Sequence, residues 1–146
     1  MNEEYIVKDI EVNDYYDGYL ELMYEFTNYN KNIDIDFFTN YIKNRNNVRI
    51  IVLKTRNNKI IGAGTIFNIE KLHNNSVGQI EDVIITEKYR NNGLGKIIIN
   101  KLIEIGKNEF NCYKIILNCL DKNIEFYKKC DFNVVGVEMK LYQCTS

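Results

Sequence analysis

The fold is decided by the stretch Tyr89-Arg90-Asn91-Asn92-Gly93-Leu94-Gly95-Lys96. It follows an apolar, β-branched run at residues 83–86, which predicts a strand. After it, apolar residues recur at spacings of three and four, which predicts a helix ending near Gly106. A glycine-containing loop between a strand and a helix directs unpaired N–H groups and the positive end of the helix dipole to one point. The sequence therefore predicts an anion site at this turn, with phosphate as the expected ligand.

The elements on both sides of this turn predict an α/β chain. Asn13 or Asp14 is expected to cap the first helix, and Asp34 or Asp36 the second. A polar loop is expected at residues 70–78. The predicted elements are strand 5–10, helix 13–26, helix 37–42, strands 49–53, 59–67 and 79–86, helix 94–106, strand 113–119, helix 123–129 and strand 134–142. This order indicates one domain over residues 1–146, with a mixed central β-sheet flanked by helices. Glycines in strand 59–67 predict a bulge or a close approach there.

Composition narrows the possible partners. The 146 residues carry a formal net charge of -1, so no basic field indicates nucleic acid. No apolar run reaches membrane-spanning length and the N-terminus resembles no secretory signal, so a cytoplasmic protein without membrane contact is expected. Cys112, Cys119, Cys130 and Cys144 form no C-x-x-C pair and have no histidine cluster. They are expected to be small buried thiols, with no metal site and no disulfide framework.

The turn matches neither of two common nucleotide-binding loops. The G-x-x-x-x-G-K-[ST] pattern is absent because Ile97 follows Lys96, and the G-x-G-x-x-G pattern is absent because Ile98 replaces its third glycine. What remains is Arg90-x-x-Gly93-x-Gly95. By itself, this pattern also fits a tight strand-to-helix turn that binds nothing.

Three other side chains carry candidate chemistry. Glu81 and Asp82 are adjacent carboxylates on an apolar strand, so they are expected on opposite faces, with at least one buried or lining a cleft. The alternative is a structural carboxylate paired with a lysine. Tyr127 can donate a proton to a leaving thiolate, or it can pack in the core beside Phe126.

The motif [RQ]-x-x-G-x-[GA] between a strand and a helix resembles the pyrophosphate loop of the GNAT acetyltransferase superfamily. Four stretches in order also resemble the glucosamine 6-phosphate N-acetyltransferase family, and they are Gly78–Ile85, Gly93–Lys96, Cys112–Leu117 and Asn123–Phe132. The similarity is dense from Gly78 to Met139 and faint before Val48. It implies the GNAT fold, acetyl-CoA as cosubstrate and the amine of D-glucosamine 6-phosphate as acceptor, in UDP-N-acetylglucosamine biosynthesis.

The resemblance assigns one set of residues to the cofactor. The loop would hold the pyrophosphate, the strand before it would pair with the pantetheine amides, and Tyr127 would protonate the coenzyme A thiolate. The cofactor-binding residues implied are Val83, Ile84, Ile85, Arg90, Asn91, Asn92, Gly93, Leu94, Gly95, Lys96, Asn123, Tyr127 and Lys129.

A second set is assigned to the sugar. Glu81 and Asp82 would bind it and orient its amine, directly or through a water molecule, and with Tyr127 they form the implied catalytic set. The other implied contacts are Thr27, Lys71, His73, Asn118, Lys140 and Tyr142. Asn118 and Tyr142 depart from the family pattern, because a carboxylate and, in some members, an arginine stand at these positions. Lys140 shares a strand face with Tyr142 and could replace the arginine as a point charge.

The resemblance also implies a direct attack by the amine in a ternary complex and a homodimer whose terminal strand reaches across the interface. A covalent acyl-enzyme is disfavoured, because no Ser/His/Asp set is visible and no cysteine has a flanking histidine. Two alternatives stay open. One is a GNAT enzyme for another amine, such as a polyamine, an aminoglycoside or a protein N-terminus. The other is a non-catalytic acetyl-CoA-binding module.

Overall fold

A computed structural model describes residues 4–28 and 32–143. Five strands form one mixed sheet in the order β1-β2-β3-β4-β5, antiparallel except for the parallel pair β4–β5. The strands are β1 Tyr5–Asp9, β2 Val48–Thr55, β3 Ile60–Lys71, β4 Asn74–Ile85 and β5 Lys114–Leu117. The helices are α1 Tyr19–Thr27, α2 Ile35–Lys43, α3 Leu94–Asn108 and α4 Ile124–Lys128, with 3-10 turns at Val12–Tyr15, Glu87–Tyr89 and Asp121–Asn123.

Helices cover both faces of the sheet, which confirms the predicted α/β architecture. Alternate residues of β2 point to opposite sides: Ile51 joins the cluster formed with α3, whereas Val52 joins the cluster formed with α1 and α2. A Cβ added at Gly64 would lie 2.7 Å from Ile98 Cγ2, so α3 packs directly on the backbone of β3. The register also shifts between Ala63 and Thr65, and both the bulge and the close approach are therefore confirmed.

The predicted helix 13–26 is wrong in its first half. Residues 12–15 form a 3-10 turn, Gly18 adopts a left-handed φ of 107°, and α1 begins only at Tyr19. Asp14 caps no α-helix, because it is 1% exposed and accepts hydrogen bonds from Lys8 at 2.8 Å and Lys54 at 2.7 Å. In α2 the predicted cap is confirmed at Asp34, which accepts the Phe37 N–H at 2.8 Å.

The predicted polar loop at residues 70–78 is also wrong. β3 extends to Lys71 and β4 begins at Asn74, so Leu72 and His73 alone separate the two strands. The antiparallel pairing continues through Asn68↔Gly78 and Lys71↔Asn74. Polar side chains are compatible with strands here because the distal end of this hairpin is exposed to solvent on both faces.

The predicted final strand, residues 134–142, pairs with no strand in the part of the chain that the structure describes. Its apolar row projects into solvent, and Val137 and Met139 are each 91% exposed. An alternating strand needs a surface that covers its apolar row, and residues 4–28 and 32–143 do not supply one.

The cysteines differ in their exposure. Cys130 is buried and Cys112 half-buried, but Cys119 is exposed, so the expectation of buried thiols is wrong at that position. Cys144 lies outside the described residues.

Across residues 4–28 and 32–143, no helix combines the length and the apolar character needed to cross a bilayer.

Candidate active site

The two parallel strands separate in the middle of the sheet. β5 pairs with β4 over residues 77–80, and the last paired residues are Ile80 and Leu117. β4 continues to Ile85, still bonded to β3 on its other side. Glu81 to Ile85 therefore have an edge that β5 does not cover, and an extended amide chain can pair with such an edge.

The loop after β4 is held by a backbone hydrogen bond to β3 and by two of its own side chains. The Thr86 N–H donates to the Ile61 carbonyl at 2.8 Å, and a 3-10 turn follows at Glu87–Tyr89. Arg90 Nε donates to the Ile85 carbonyl at 2.8 Å, and Asn92 Nδ2 donates to the Tyr89 carbonyl at 3.2 Å. Two of the predicted cofactor side chains thus also fix the loop's shape.

The loop ends at the N-terminus of α3, a 15-residue helix. Gly93 is the N-cap residue and has a φ of 74°, a conformation that glycine adopts at little cost. The first turn contains no acidic residue and includes Lys96. Leu94 is buried, so only its backbone N–H can face an anion. Gly95 is the second residue of α3, and Asn91, two residues before Gly93, has a left-handed φ of 66°. The first-turn N–H groups of a helix have no intrahelical partner, so this end of α3 can receive an anion.

A cavity of about 270 Å³ opens where β4 and β5 separate. Its wall includes the predicted residues Glu81, Asp82, Asn118 and Lys140. It also includes Glu138, which sequence reasoning missed. The signal was present, since Glu138 is two residues from Lys140 and therefore shares its face in extended chain.

The environment of this cavity raises the pKa values of the two adjacent carboxylates of β4. Burial, then the charges of Asp82 and Glu138, raises the pKa of Glu81. Burial raises the pKa of Asp82, although its side chain remains accessible to solvent. Glu81 and Asp82 do not alternate between the two faces as neighbours in a regular strand would. Asp82 has a left-handed φ of 53° and lies within a bulge of β4. Both residues line the cavity, as the cleft prediction required.

Tyr127 lies half-buried in α4, close to the first turn of α3. Its ring packs edge-on against Phe126, with centroids 4.9 Å apart, and against Phe132 at 6.1 Å. The Phe126 ring would lie 3.1 Å from a Cβ at Gly95, so α4 is in contact with the predicted anion loop. Burial, then the nearby Cys119 and Cys130 thiols, raises the pKa of Tyr127. The hydroxyl thus remains protonated at neutral pH and can act as a donor.

Four predicted sugar contacts do not line this cavity. Thr27 is the last residue of α1, and its hydroxyl donates to the Met23 carbonyl at 2.8 Å. Lys71 and His73 lie at the exposed tip of the β3–β4 hairpin. Tyr142 is 83% exposed in the unpaired C-terminal segment.

The remaining predicted cofactor residues flank α4 or end β4. Asn123 precedes α4, Lys129 follows it, and both are exposed. Val83, Ile84 and Ile85 occupy the uncovered part of β4, with Ile84 buried towards α1 and α2. Among residues 4–28 and 32–143 no three His, Cys, Asp or Glu side chains are grouped as a metal site would require.

Comparison with known proteins identifies the family whose sequence profile this chain matches. The sequence profile of the Acetyltransferase (GNAT) family matches residues 7–132. The chain is 36% identical over 141 residues to glucosamine 6-phosphate N-acetyltransferase 1 of Dictyostelium discoideum, covering 92% of this chain and 88% of that protein. It is 28% identical over 148 residues to glucosamine 6-phosphate N-acetyltransferase of Arabidopsis thaliana, covering 97% of this chain and 99% of that protein.

Solved structures agree on the fold, and the GNAT fold expected from the sequence is confirmed. The crystal structure of the Arabidopsis thaliana glucosamine-6-phosphate N-acetyltransferase superposes with a TM-score of 0.88 at 26% identity, covering 96% of this chain and 99% of that chain. An aminoglycoside acetyltransferase from a soil metagenomic sample, in complex with sisomicin, has a TM-score of 0.81 at 15% identity, covering 97% of each chain. At that identity, the likeness concerns the fold alone.

Proposed function

The chain belongs to the acetyltransferase (GNAT) family, and we propose that it transfers the acetyl group of acetyl-CoA to the amine of D-glucosamine 6-phosphate. The products would be N-acetyl-D-glucosamine 6-phosphate and CoA. The relatives named for this reaction support the substrate, since two of them align over at least 92% of this chain. The observation that carries the proposal is that one strand, β4, presents an uncovered edge and, next to it, two carboxylates in a cavity.

Acetyl-CoA supplies an acetyl group held by a thioester. The uncovered backbone from Val83 to Ile85 would pair with the amides of its pantetheine arm, as an added strand does. The turn from Arg90 to Lys96 would receive the pyrophosphate on the N–H groups at the start of α3. Asn123 and Lys129, at the two ends of α4, would contact the same substrate.

The acceptor arrives as an ammonium, which must lose a proton before it can attack. Glu81 and Asp82 would attract it by charge and take up that proton, directly or through a water molecule. Their raised pKa values make them stronger bases than an ordinary surface carboxylate. As the N–C bond forms and the C–S bond breaks, Tyr127 would give its hydroxyl proton to the sulfur. The nitrogen would then lose its second proton, which would restore the Tyr127 hydroxyl through solvent.

The sugar's other groups can be assigned to the same cavity. Asn118 would hydrogen-bond a sugar hydroxyl, and Lys140 would bind the phosphate. Lys140 Nζ lies 3.9 Å from a carboxylate oxygen of Glu138, which reduces the charge it presents. Thr27, Lys71, His73 and Tyr142 do not line this cavity and stay predictions as substrate contacts.

A homodimer is part of the proposal, and its support is the exposed C-terminal segment. The side chains of Val135, Val137, Met139 and Leu141 are all at least 86% exposed and share one face of an extended chain. A contiguous exposed apolar row of this kind is typical of a protein–protein interface, and a second copy could cover it by strand addition. A single catalytic domain over residues 1–146 and a cytoplasmic location stay predictions.

The dimer is tested by light scattering after size-exclusion chromatography. The wild type should elute at twice the 17.3 kDa mass of one chain. Val137→Lys combined with Met139→Lys should give the single-chain mass, because charges replace the apolar row. Tyr16→Lys, on another exposed aromatic, is the control and should remain dimeric. A wild type of single-chain mass would exclude this assembly.

The activity is tested by thiol release from acetyl-CoA. Glucosamine 6-phosphate should be turned over, and unphosphorylated glucosamine far more slowly because it lacks the group that Lys140 binds. No release with the phosphorylated sugar would exclude the proposed substrate. A panel of polyamines, aminoglycosides and peptides then identifies any other acceptor. If none of them is acetylated, the remaining alternative is a non-catalytic acetyl-CoA-binding module.

The proton donor is tested by Tyr127→Phe. Removing a general acid lowers turnover by roughly 100-fold or more. Tyr113→Phe, at a half-exposed tyrosine outside the site, should retain activity within about twofold, since surface substitutions rarely perturb a protein. Unchanged turnover in Tyr127→Phe would show that the thiolate takes its proton from another source.

A further inference from the structure

A second cavity, of about 190 Å³, lies between the sheet and the helices α1 and α2. Five aromatic side chains contribute to its wall, and they are Tyr19, Phe37, Phe38, Tyr41 and Phe67. The volume exceeds that of an engineered apolar protein cavity of about 150 Å³ that binds benzene. A benzene ring with one or two attached carbon atoms therefore has room in it.

One carboxylate lies in this largely apolar wall. Asp82 lines both this cavity and the cavity at the separation of β4 and β5. In residues 4–28 and 32–143, no lysine or arginine is in salt-bridge contact with Asp82. A carboxylate partly withdrawn from water without a cation is costly, and burial accordingly raises its pKa. A ligand cation would relieve that cost.

The neighbouring polar groups also suit a cation. Burial, then the charges of Asp82 and Tyr41, raises the pKa of Tyr19, so its hydroxyl stays neutral. Thr65 is buried in the same wall and adds a second hydroxyl. Aromatic faces beside a carboxylate are the surroundings that favour organic ammonium groups.

We propose that this second cavity binds small arylalkyl ammonium compounds, of which benzylammonium is the simplest probe. The ring would pack among the aromatic side chains, and the ammonium would donate to the Asp82 carboxylate. The inference rests on the proposed function in one respect only: because Asp82 lines both cavities, the bound ammonium would compete with the amine of the sugar for the same carboxylate.

Binding is measured directly, by isothermal titration of the full chain with benzylammonium in the absence of acetyl-CoA. Benzyl alcohol is the neutral probe of the same shape, and it should bind at least about tenfold more weakly, because it has no positive charge to pair with the Asp82 carboxylate. Asp82→Asn should weaken benzylammonium to the level of benzyl alcohol. In a separate assay, benzylammonium should inhibit acetylation of glucosamine 6-phosphate competitively with the sugar.

Leu20→Trp locates the site, because Leu20 lines the second cavity and a larger ring there would fill it. This variant should lose benzylammonium binding at least about tenfold, as expected when a ligand meets a filled pocket. Its turnover of glucosamine 6-phosphate should stay within about twofold of wild type, since Leu20 does not line the cavity assigned to the sugar. Tyr24→Trp, on an exposed position of the same helix, is the matched control and should bind as wild type does.

Three results would overturn the inference. They are equal affinity for benzyl alcohol and benzylammonium, wild-type affinity in Leu20→Trp, and absence of binding at millimolar concentration. Direct titration needs no acetyl transfer, so it remains readable even if glucosamine 6-phosphate is not a substrate. Conversely, turnover of the sugar without benzylammonium binding would exclude the second cavity as an ammonium site and leave the proposed function intact.

Discussion

Two clusters of charged side chains lie at this sheet. In one cluster lysines neutralise the carboxylates, whereas in the other the carboxylates outnumber the lysine. Lys54, only 5% exposed, donates to Asp14 at 2.7 Å and to Asp17 at 2.8 Å, and Lys8 adds a contact to Asp14 at 2.8 Å. In the cavity at the separation of β4 and β5, three carboxylates instead face a single lysine on the lining wall, and they are Glu81, Asp82 and Glu138.

The pKa values follow this difference. Burial alone would raise the pKa of Asp14, but hydrogen bonds from Lys54, Lys8 and the Glu11 N–H lower it. In the part of the chain that the structure describes, Glu81 and Asp82 have no such donors to offset burial, and their pKa values are raised. The first cluster is neutralised within the chain and contributes to the fold. The second keeps an excess of negative charge, as a site for a cationic substrate requires.

The largest expected effect is on stability, in the first cluster. Asp14→Ala should lower the free energy of unfolding by about 3 kcal/mol, the low end for breaking a buried ion pair, because Lys54 loses its closest carboxylate but keeps Asp17. Urea denaturation measures this. Arg56→Gln, in an exposed pair with Glu4, is the control and should cost less than about 1 kcal/mol. A similarly small loss for Asp14→Ala would mean that Asp14 contributes no more than a surface charge.

The next effect is on activity, in the second cluster. Asp82→Asn should lower turnover by roughly 100-fold, because the amide cannot take up a proton. Asparagine tolerates the left-handed φ of 53° at this position, so the free energy of unfolding should not fall. Steady-state kinetics and urea denaturation are measured on one preparation, with Asp36→Asn as the exposed control. Full turnover would assign proton uptake to Glu81 or to solvent.

A smaller effect is expected at the lysine of the cavity. Lys140→Ala should raise KM for glucosamine 6-phosphate about tenfold, the usual order for losing one charge-assisted hydrogen bond. Glucosamine without the phosphate should show no change in KM, and Lys107→Ala on the exposed side of α3 should resemble wild type. Equal effects on both sugars would show that Lys140 does not bind the phosphate.

The smallest effect is the pH dependence of stability, where the two clusters should have opposite signs. Asp14, with its lowered pKa, stabilises the fold above its ordinary value of 3.8 and loses this effect as the pH falls through its folded pKa. Glu81 and Asp82, with raised pKa values, destabilise the fold as the pH rises above their ordinary values of 4.5 and 3.8.

This contrast is measured by urea denaturation from pH 3 to pH 7, a range of about four units around ordinary carboxyl pKa values. Glu81→Gln combined with Asp82→Asn should be more stable than wild type at neutral pH, by less than about 1 kcal/mol because both side chains are partly in solvent. The difference should vanish below about pH 4. A variant less stable than wild type at neutral pH would contradict the raised pKa values.

Local patterns were sufficient where neighbours in sequence decide the structure. The apolar spacing from Leu94 to Ile105 predicted α3, and Asp34 predicted the start of α2. Patterns were insufficient where a distant residue intervenes. Asp14 was expected to cap a helix, but Lys54, forty positions away, holds it in the core instead. The polar residues at 70–78 predict a loop but form hairpin strands, because strands that are exposed on both faces need no apolar face.

The sequence by itself determined the α/β order of elements, the glycine turn before α3 and most of the charged residues around it, because these depend on spacing along the chain. Only the tertiary structure decided which charges are neutralised. It paired Lys54 with Asp14 and Asp17, whereas it placed Asp82 in a bulge between two cavities, where no lysine or arginine of the described residues forms a salt bridge with it. The physical reason is that the cost of a buried carboxylate depends on the donors that packing brings within hydrogen-bond distance, and sequence separation does not reveal them.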